Sequence, residues 1–214
     1  MSKGTFGSQI AESFFNRFKT NINLTFLGSY DSRMPLLGGR IEKKFKNQTV
    51  VCNRSCFNLV GYETFDDYEK NLFEIIEKEQ PDIVVLSAAV SDYGIENYVD
   101  GKIRTSSDEM VIRLKPLPKL ISKVREKAPN AFIVGFKLLV DSTEDELKEA
   151  CIDSMNKNKL DMIVGNDLRD IQNDNHTLTL GTWNKDNKEV VFEKFSKSQG
   201  KLSDYLVDKI MERI

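Results

Sequence analysis

The residues of this chain that could do chemistry lie at the ends of apolar segments. Segment 82–93 reads DIVVLSAAVSDY, in which an apolar run after Pro81 gives way to small residues and then to Asp92. Such a run predicts a strand buried on both faces. Small side chains at its carboxyl end would let a ligand approach the backbone, and Asp92 could accept hydrogen bonds from it. A core strand that merely ends in a polar turn explains this segment equally well.

Two further apolar segments end in a similar way. Segment 131–139 reads AFIVGFKLL, and segment 161–165 reads DMIVG and is followed by Asn166 and Asp167. The carboxyl ends of parallel strands share one edge of a sheet, so we expect the three segment ends to converge there. For Asn166 and Asp167 alone, capping of the following turn is an equally good explanation.

The histidine and cysteine content narrows the possible chemistry. His176 is the only histidine, and it lies in a polar loop. This argues against histidine-based triads and against metal sites with several histidines. The cysteines, Cys52, Cys56 and Cys151, form no even framework and no metal-ligand pattern, which is typical of a reducing compartment. Carboxylates, lysines, backbone amides and a metal ion carried by a ligand remain available.

The composition is that of an ordinary globular protein. The chain has 214 residues, of which 40% are hydrophobic and 30% charged, and we expect a single domain over residues 1–214. A net charge of −2 gives no overall field that favours nucleic acid or an anionic membrane. The sequence has neither an apolar run of membrane-spanning length nor a signal-peptide core. We therefore expect a cytoplasmic protein that binds neither nucleic acid nor membrane.

Helices and strands alternate along the chain and would position these residues. Two elements are predicted beyond this alternation: a two-stranded flap over 102–114, and a C-terminal hairpin from 177–183 and 189–195. The alternation predicts an α/β fold with a mostly parallel sheet and helical crossovers. Helices are predicted over 9–18, 65–78, 119–127, 142–156 and 202–214, and strands over 22–29, 49–52, 82–86, 131–139 and 161–165.

A Gly-x-x-Gly lead-in, Gly4 to Gly7, precedes the first helix. Backbone N–H groups at the amino end of a helix carry the positive end of its dipole and can bind phosphate. Glycines also serve as ordinary helix entries, so this signal is weak by itself. The sequence has neither a Gly-x-Gly-x-x-Gly fingerprint nor a P-loop. The missing dinucleotide fingerprint argues against a nicotinamide-dependent oxidoreductase.

Several short motifs along the chain carry a family resemblance. They are SAAVSDY at 87–93, GKI at 101–103, PK at 118–119, GFKL at 135–138 and GNDL at 165–168. In this order they closely resemble phosphopantothenoylcysteine synthetase, the phosphopantothenate–cysteine ligase family of coenzyme A biosynthesis. The resemblance covers nearly the whole chain. The GFKL and PK forms look more like stand-alone enzymes than like the half fused to a flavin decarboxylase, so no flavin is expected.

The resemblance implies a Rossmann-like three-layer fold and a nucleotide-dependent ligation. The carboxylate of 4′-phosphopantothenate would attack the α-phosphate of CTP or ATP and release pyrophosphate. The amine of L-cysteine would then displace the nucleoside monophosphate from the acyl-nucleotide. Mg²⁺ would accompany the nucleotide, and an amine nucleophile needs no histidine base. The resemblance also implies a homodimer in which each flap contributes to the partner's site, and it leaves the choice between CTP and ATP open.

The implied site follows from the positions that match the family's motifs. Lys102, which would reach the reacting phosphates from the flap, and Asp92 are the implied catalytic residues. Without the resemblance, Lys102 is explained as an exposed flap lysine. A length difference leaves Lys157 and Lys159 as alternatives for one phosphate contact. The implied nucleotide-binding residues are Gly4, Ser87, Ala88, Asp92, Lys102, Pro118, Lys119, Leu120, Ile121, Phe136 and Lys157, and the implied substrate-binding residues are Ala88, Ala89, Asp92 and Asn166.

The sequence departs from the family pattern ahead of Gly4. The family has a glycine-containing strand, a loop and an asparagine there, whereas the printed sequence has Met1-Ser2-Lys3. The first strand of a doubly wound sheet is usually central. We therefore expect Leu24–Leu27 and Ile83–Leu86 to lack ladder partners. Three explanations stay open: a shortened or mis-set start, a strand supplied by another polypeptide, and a non-catalytic homologue that retains only nucleotide or phosphopantothenate binding.

Overall fold

The computed structural model describes residues 4–18, 20–36, 38–42, 48–52, 55–97, 101 and 110–214. Within these ranges the helices are α1 (Thr5–Phe18), α2 (Phe65–Glu79), α3 (Ile121–Lys127), α4 (Glu144–Asn158), α5 (Leu168–Gln172) and α6 (Leu202–Met211). The strands are β1 (Asn23–Ser29), β2 (Gln48–Cys52), β3 (Ser55–Tyr62), β4 (Ile83–Leu86), β5 (Tyr93–Ile95), β6 (Leu114–Pro116), β7 (Phe132–Leu139), β8 (Met162–Asp167), β9 (Thr177–Trp183) and β10 (Val190–Ser196). None of the helices in the described residues is long and apolar enough to cross a membrane.

The larger sheet has five strands in the order β10-β9-β8-β7-β4. Strands β4, β7 and β8 are parallel, with Leu86 opposite Gly135 and Phe136 opposite Val164. Strands β9 and β10 add an antiparallel hairpin beside β8. The predicted C-terminal hairpin is therefore confirmed. The predicted common edge is confirmed as well, because the carboxyl ends of three adjacent parallel strands lie side by side.

The smaller sheet has three strands in the order β1-β3-β2. Strand β1 is parallel to β3, and β2 is antiparallel to it. Strand β3 lies in a segment for which no strand was predicted. Among the described strands, β1 pairs only with β3 and β4 pairs only with β7, which confirms that the strand segments at 24–27 and 83–86 each lack one ladder partner.

Helices cover both faces of the strands, which confirms the three-layer α/β fold. On one face α1 and α6 pack against the sheet, with Ile10 and Leu206 in the same buried cluster as Val164. On the other face α2, α3 and α4 form a second buried cluster, in which Val124 packs with Ile133. Side chains of a strand alternate between its faces, so one strand supplies both clusters.

Local capping signals set the limits of the longer helices. Thr143 accepts from the backbone N–H of Glu146, whose carboxylate accepts in return from the backbone N–H of Thr143. This capping box begins α4 where the sequence predicts it. Thr64 begins α2 in the same way. Helix α1 begins at Thr5 instead of at residue 9, because Gly4 adopts a φ of +66° and its carbonyl accepts from Ser8 N at 3.0 Å.

Beside the predicted flap the structure has a strand pair, β5 and β6, which we call the flap strands. Strands β5 and β6 form an antiparallel pair, which the backbone hydrogen bond from Leu117 N to the Asp92 carbonyl extends at 2.8 Å. The prediction placed the first flap strand near Ile103, within residues 102–109, which lie outside the described residues. The described pairing begins at Tyr93, ahead of the predicted range, and its hydrogen bonds come from a partner strand distant in sequence.

Candidate active site

A cavity of about 810 Å³ extends between β1 and β4 and reaches the common strand edge. At that end it is lined by Gly4 and Phe6 at the start of α1, by residues 87–89 after β4, and by Phe136 of β7. Of the predicted site residues, the structure therefore brings Gly4, Ser87, Ala88, Ala89 and Phe136 together around one cavity.

Helix α1 approaches the end of β4 very closely. A Cβ atom built on Gly7 would lie 2.7 Å from Oγ of Ser87, so a side chain at position 7 would displace Ser87. The first turn of α1 contains no acidic residue. Its unpaired N–H groups and positive dipole end are therefore not neutralised by a neighbouring carboxylate. This end of the cavity suits an anionic ligand.

A chain of side-chain contacts connects Phe136 with Asn166. The rings of Phe136 and Phe6 pack edge to face with centroids 6.2 Å apart, and Phe6 packs against His176 at 5.4 Å. Nε2 of His176 lies 2.8 Å from Oδ1 of Asn166. Asn166 is buried and does not line the cavity. The side-chain amide of Asn166 is hydrogen-bonded to the Val164 carbonyl and to His176. Asn166 is connected to the cavity only indirectly, because His176 contacts Phe6, which lines the cavity.

Phe6 and His176 are site residues that sequence reasoning missed. Burial lowers the pKa of the half-buried His176 below its ordinary value, and nearby Lys197 adds to this effect, whereas Asp170 opposes it. Depletion of the imidazolium favours a neutral ring that donates from Nε2 to the amide oxygen. Phe6 lies inside the predicted Gly-x-x-Gly lead-in, which was a usable signal. No local pattern indicates that His176 contacts Asn166.

Asp167 makes its hydrogen bonds with the protein. Its Oδ1 accepts from the backbone N–H of Arg169 at 2.8 Å and caps α5. Its Oδ2 accepts from the backbone N–H of Ser142 at 2.8 Å and from its hydroxyl at 2.9 Å. These bonds, the one from the Ser142 backbone above all, lower the pKa of Asp167. For Asp167 the structure supports the capping explanation.

Asp92 and Pro118 lie at the base of the flap. The Asp92 side chain is exposed and does not line the large cavity. Pro118 lines a second, smaller pocket of about 520 Å³ between the start of α2 and the flap strands. Its other lining residues include Gly94 and Leu117. Asp92 and Pro118 are thus near the common strand edge but outside the main cavity.

The remaining predicted residues lie elsewhere. Lys119 is exposed, whereas Leu120 is buried in the core beneath α2 and α3. Ile121 is half-buried beside Gly135, where a built Cβ atom would lie 3.3 Å from its Cδ1. Lys157 is exposed in the last turn of α4. Helix α4 runs from the carboxyl end of β7 to the amino end of β8, so Lys157 lies toward the opposite edge of the sheet. Lys102 lies outside the described residues.

The cavity has little cationic character of its own. None of the described residues that line it is lysine, arginine or histidine, and Glu79 and Asp82 line the end away from the α1 amino terminus. In the described part of the chain, no group of three or more His, Cys, Asp or Glu residues could hold a metal ion. A polyanionic ligand would therefore depend on the α1 amino terminus, on cations carried with it and on groups outside the described residues.

Comparison with known proteins identifies the family of the chain. Residues 59–214 match the family model described as DNA/pantothenate metabolism flavoprotein C-terminal domain. The chain is 32% identical, over 214 residues, to the Coenzyme A biosynthesis bifunctional protein CoaBC of Methanocaldococcus jannaschii, a match that covers 100% of this chain and 46% of that protein. The corresponding protein of Haemophilus influenzae is 29% identical over 216 residues, which covers 99% and 46%. The chain spans less than half the length of these relatives.

Solved structures have the same fold. The DNA/Pantothenate Metabolism Flavoprotein from Streptococcus pneumoniae aligns with a TM-score of 0.74 at 24% identity, over 100% of this chain and 90% of that one. A variant of Cab2 in complex with phosphopantothenate-cysteine aligns with a TM-score of 0.68 at 20% identity, over 100% of this chain and 78% of that one. Both alignments reproduce the layered α/β architecture.

Proposed function

Because the chain belongs to the family of the DNA/pantothenate metabolism flavoprotein C-terminal domain, we propose that it is a phosphopantothenate–cysteine ligase. The family match agrees with the resemblance carried by the sequence motifs. The proposed reaction joins 4′-phosphopantothenate to L-cysteine at the expense of CTP or ATP. One observation carries the proposal: Ser87, Ala88 and Phe136 surround a cavity at the common strand edge, beside the amino end of α1.

The ligand end of the cavity fits the proposed substrates. Residues 87–89 have short side chains, so a ligand can approach the backbone after β4 closely. The α1 amino terminus offers N–H donors to phosphate oxygens. The Phe136 ring offers an apolar face to a base or an acyl chain. These groups bind and orient the two substrates, and orientation supplies much of the rate gain of a two-substrate reaction.

The proposed reaction has two steps, and each step forms one bond and breaks one. In the first, the phosphopantothenate carboxylate forms a bond to the α-phosphorus as pyrophosphate leaves. In the second, the cysteine amine attacks the acyl carbon, the nucleoside monophosphate leaves and the amine loses a proton. Both steps need compensation of developing negative charge. We propose that the α1 amino terminus and Lys102 of the flap supply it.

We propose that Mg²⁺ enters with the nucleotide. Phosphate oxygens, water and one or two carboxylates are the usual ligands of such an ion. Asp92, an exposed carboxylate at the base of the flap, fits this donor set. When bound, the ion would neutralise phosphate charge and polarise the leaving pyrophosphate.

We propose that the enzyme is a cytoplasmic homodimer joined through the flap. Flap residues Tyr93, Ile95 and Leu114 expose large apolar side chains to solvent. Met110, Val111 and Ile112 nearby in sequence are exposed as well. Exposed apolar segments of this kind mark association surfaces. The free thiols of Cys56 and Cys151 agree with a reducing compartment.

The test is pyrophosphate release by the purified chain with 4′-phosphopantothenate, Mg²⁺ and either CTP or ATP. We expect release that requires phosphopantothenate, and phosphopantothenoylcysteine formation only when L-cysteine is added. Running the two nucleotides side by side identifies the preferred one. The alternative is a non-catalytic binding protein. It would release no pyrophosphate with CTP or ATP but would bind a nucleotide or 4′-phosphopantothenate in calorimetry.

A further inference from the structure

His176 lies beside the ligand end of the cavity without lining it. It is the last residue before β9, and it is half-buried. The residues that line the cavity include Phe6 and Phe136 but not His176. A side chain outside the lining does not touch a ligand bound in the cavity. Any role of His176 in ligand binding must therefore act through a residue that does line the cavity.

The His176 ring is attached to the central sheet. Its Nε2 lies 2.8 Å from Oδ1 of Asn166. The Asn166 side chain is buried, and its amide donates to the Val164 carbonyl at 3.4 Å. Strand β8, which carries both residues, is paired on its two edges. The backbone carbonyl of His176 accepts from Lys197 N at 2.9 Å, so the ring and the backbone of His176 are both held by packed parts of the fold.

Phe6 connects His176 with the amino end of α1. Phe6 is the second residue of that helix. In the described part of the chain its ring contacts two others edge to face, the ring of His176 at a centroid distance of 5.4 Å and that of Phe136 at 6.2 Å. Because the first-turn N–H groups have no partners within the helix, side-chain packing contributes strongly to fixing this turn. The contact with His176 therefore bears on the direction of these N–H groups and on the orientation of Phe136.

We propose that His176 is a positioning residue for the nucleotide, a role that rests on the proposed ligase function. Held by Asn166, the His176 ring keeps Phe6 against Phe136. Phe6 in turn keeps the Phe136 ring and the amino end of α1 in the places where they meet the nucleotide. An edge-to-face contact needs a fixed orientation of both rings. A hydrogen-bonded imidazole supplies that orientation, whereas an alkyl side chain would leave Phe6 free to turn.

Two substitutions separate this role from simple support of the fold. His176→Gln retains an N–H donor for Asn166 but removes the ring that contacts Phe6. Phe6→Leu retains an apolar side chain in α1 but removes the ring that contacts Phe136. If His176 acts through Phe6, the double variant should lose no more than the stronger single variant, because both substitutions break the same chain of contacts.

The first measurement is pyrophosphate release at increasing nucleotide concentration and saturating 4′-phosphopantothenate. We expect each single variant and the double variant to raise the KM of the preferred nucleotide about tenfold. We expect kcat to stay within about threefold of the parent value, because none of the exchanged groups touches the reacting atoms. The melting temperature of His176→Gln at pH 7.5 should stay within about 2 °C of the parent value, since the donor to Asn166 is kept. Asn175→Ala, an exposed neighbour in the same loop, is the control with parent kinetics.

Three kinetic results would overturn the proposal. One is an unchanged nucleotide KM in His176→Gln. Another is a double variant whose KM rises about 100-fold, since two independent tenfold effects multiply. The third is a fall in kcat without a rise in KM, which would assign His176 to the chemical step.

A second measurement needs no substrate and so separates this proposal from the ligase proposal. Nuclear Overhauser effects between the ring protons of Phe6 and Phe136 are recorded in the ligand-free protein. We expect the parent and Asn175→Ala to show them, and His176→Gln to lose most of their intensity. Unchanged effects in His176→Gln would overturn the positioning role even in an active ligase. Loss of the effects in a chain that releases no pyrophosphate would support the positioning of Phe6 by His176 and count against the ligase function alone.

Discussion

Strands β4 and β8 are apolar parallel strands of one sheet, but their surroundings differ. All 6 residues of β8 are buried, because β7 and β9 pair with its two edges. In β4 only Val84 is buried, since among the described strands β4 pairs with β7 alone. Similar apolar sequences thus acquire different burial from the number of strands that flank them.

The residues that follow the two strands also differ in how far protein groups surround them. After β8, the polar atoms of Asn166 and Asp167 are engaged by His176, Ser142 and the α5 backbone. After β4, residues 87–89 line the open cavity. Polar residues at one sheet edge are therefore divided between stabilising the fold and facing a ligand. In β8, which is paired on both edges, the polar residues at the strand end stabilise the fold. In β4, which is paired on one edge among the described strands, the residues after the strand face the cavity.

The largest expected effect is on the free energy of unfolding, and it is tested with one isoleucine from each strand. Ile163→Ala should lower the free energy of unfolding by about 3 kcal/mol, because Ile163 is fully buried in β8. Ile83→Ala, its matched control in β4, should cost about 1 kcal/mol, because Ile83 is half-buried. Urea denaturation measures both losses. Equal losses would show that β4 is as well packed as β8.

The next effect concerns a group proposed to face the end of β4. Lys102→Ala should reduce the rate of pyrophosphate release by about 100-fold, because one cation that compensates transition-state charge is lost. The melting temperature should stay within about 2 °C of the parent value, since a flap side chain contributes little to the core. Lys185→Ala, in the exposed C-terminal hairpin turn, is the control with parent activity. A large drop in melting temperature for Lys102→Ala would contradict the assignment.

A smaller effect distinguishes the two aspartates near the common edge. Asp167→Asn places an amide NH₂ group where a carboxylate oxygen accepted hydrogen bonds, so we expect a fall in melting temperature on the order of 5 °C. Asp92→Asn should leave stability unchanged, because Asp92 is exposed, and should reduce turnover about tenfold if it contacts Mg²⁺ or substrate. Calorimetric melting and the pyrophosphate assay measure these results. A loss of stability in Asp92→Asn together with a loss of turnover in Asp167→Asn would contradict this assignment.

Asp167 also predicts an acid dependence of stability. Its pKa is lowered in the folded chain, so its contribution is fully present above the unfolded value of 3.8 and is lost as pH falls through the folded pKa. The stability difference between the parent and Asp167→Asn should therefore shrink below about pH 4. A difference that stays constant from pH 6 down to pH 3 would show that the charge on Asp167 contributes nothing.

The smallest effect is a pH dependence from His176. Burial lowers its pKa below the ordinary 6.5, so the unfolded chain binds more protons than the folded chain just below that pH. Stability should therefore decrease as pH falls below about 6.5 toward the folded pKa. His176→Gln keeps an N–H donor for Asn166 but cannot titrate, and it should lose this part of the pH dependence. Identical melting profiles from pH 7 to pH 5 would contradict the burial effect.

Much of the fold was predictable because its signals are local. The apolar runs at 82–86, 131–139 and 161–165 became adjacent parallel strands, and the capping residues before α4 set its start. Strand β3 was missed, although Phe57 and Leu59 alternate with Asn58 as in a half-buried strand. Its alternating burial comes from pairing with β1 and β2.

The candidate site was predictable only in part. The small residues after β4 and Phe136 of β7 line one cavity, as expected for strand ends that converge at one edge of a parallel sheet. Leu120 is a buried core residue, although the family resemblance implied a place beside the nucleotide. The contact between His176 and Asn166 depends on how β9 returns beside β8, which no local pattern encodes.

The sequence by itself determined the α/β class, the common edge of the three central strands and the family to which the chain belongs. Each of these follows from local apolar patterns or from motifs read in order along the chain. The tertiary structure decided which polar side chains are engaged by protein groups, and it showed that β1 and β4, each with one edge unpaired among the described strands, face each other across a cavity between α1 and α2. These facts depend on contacts between residues far apart in the chain, where the free energy comes from pairing and packing and leaves no mark on any single segment.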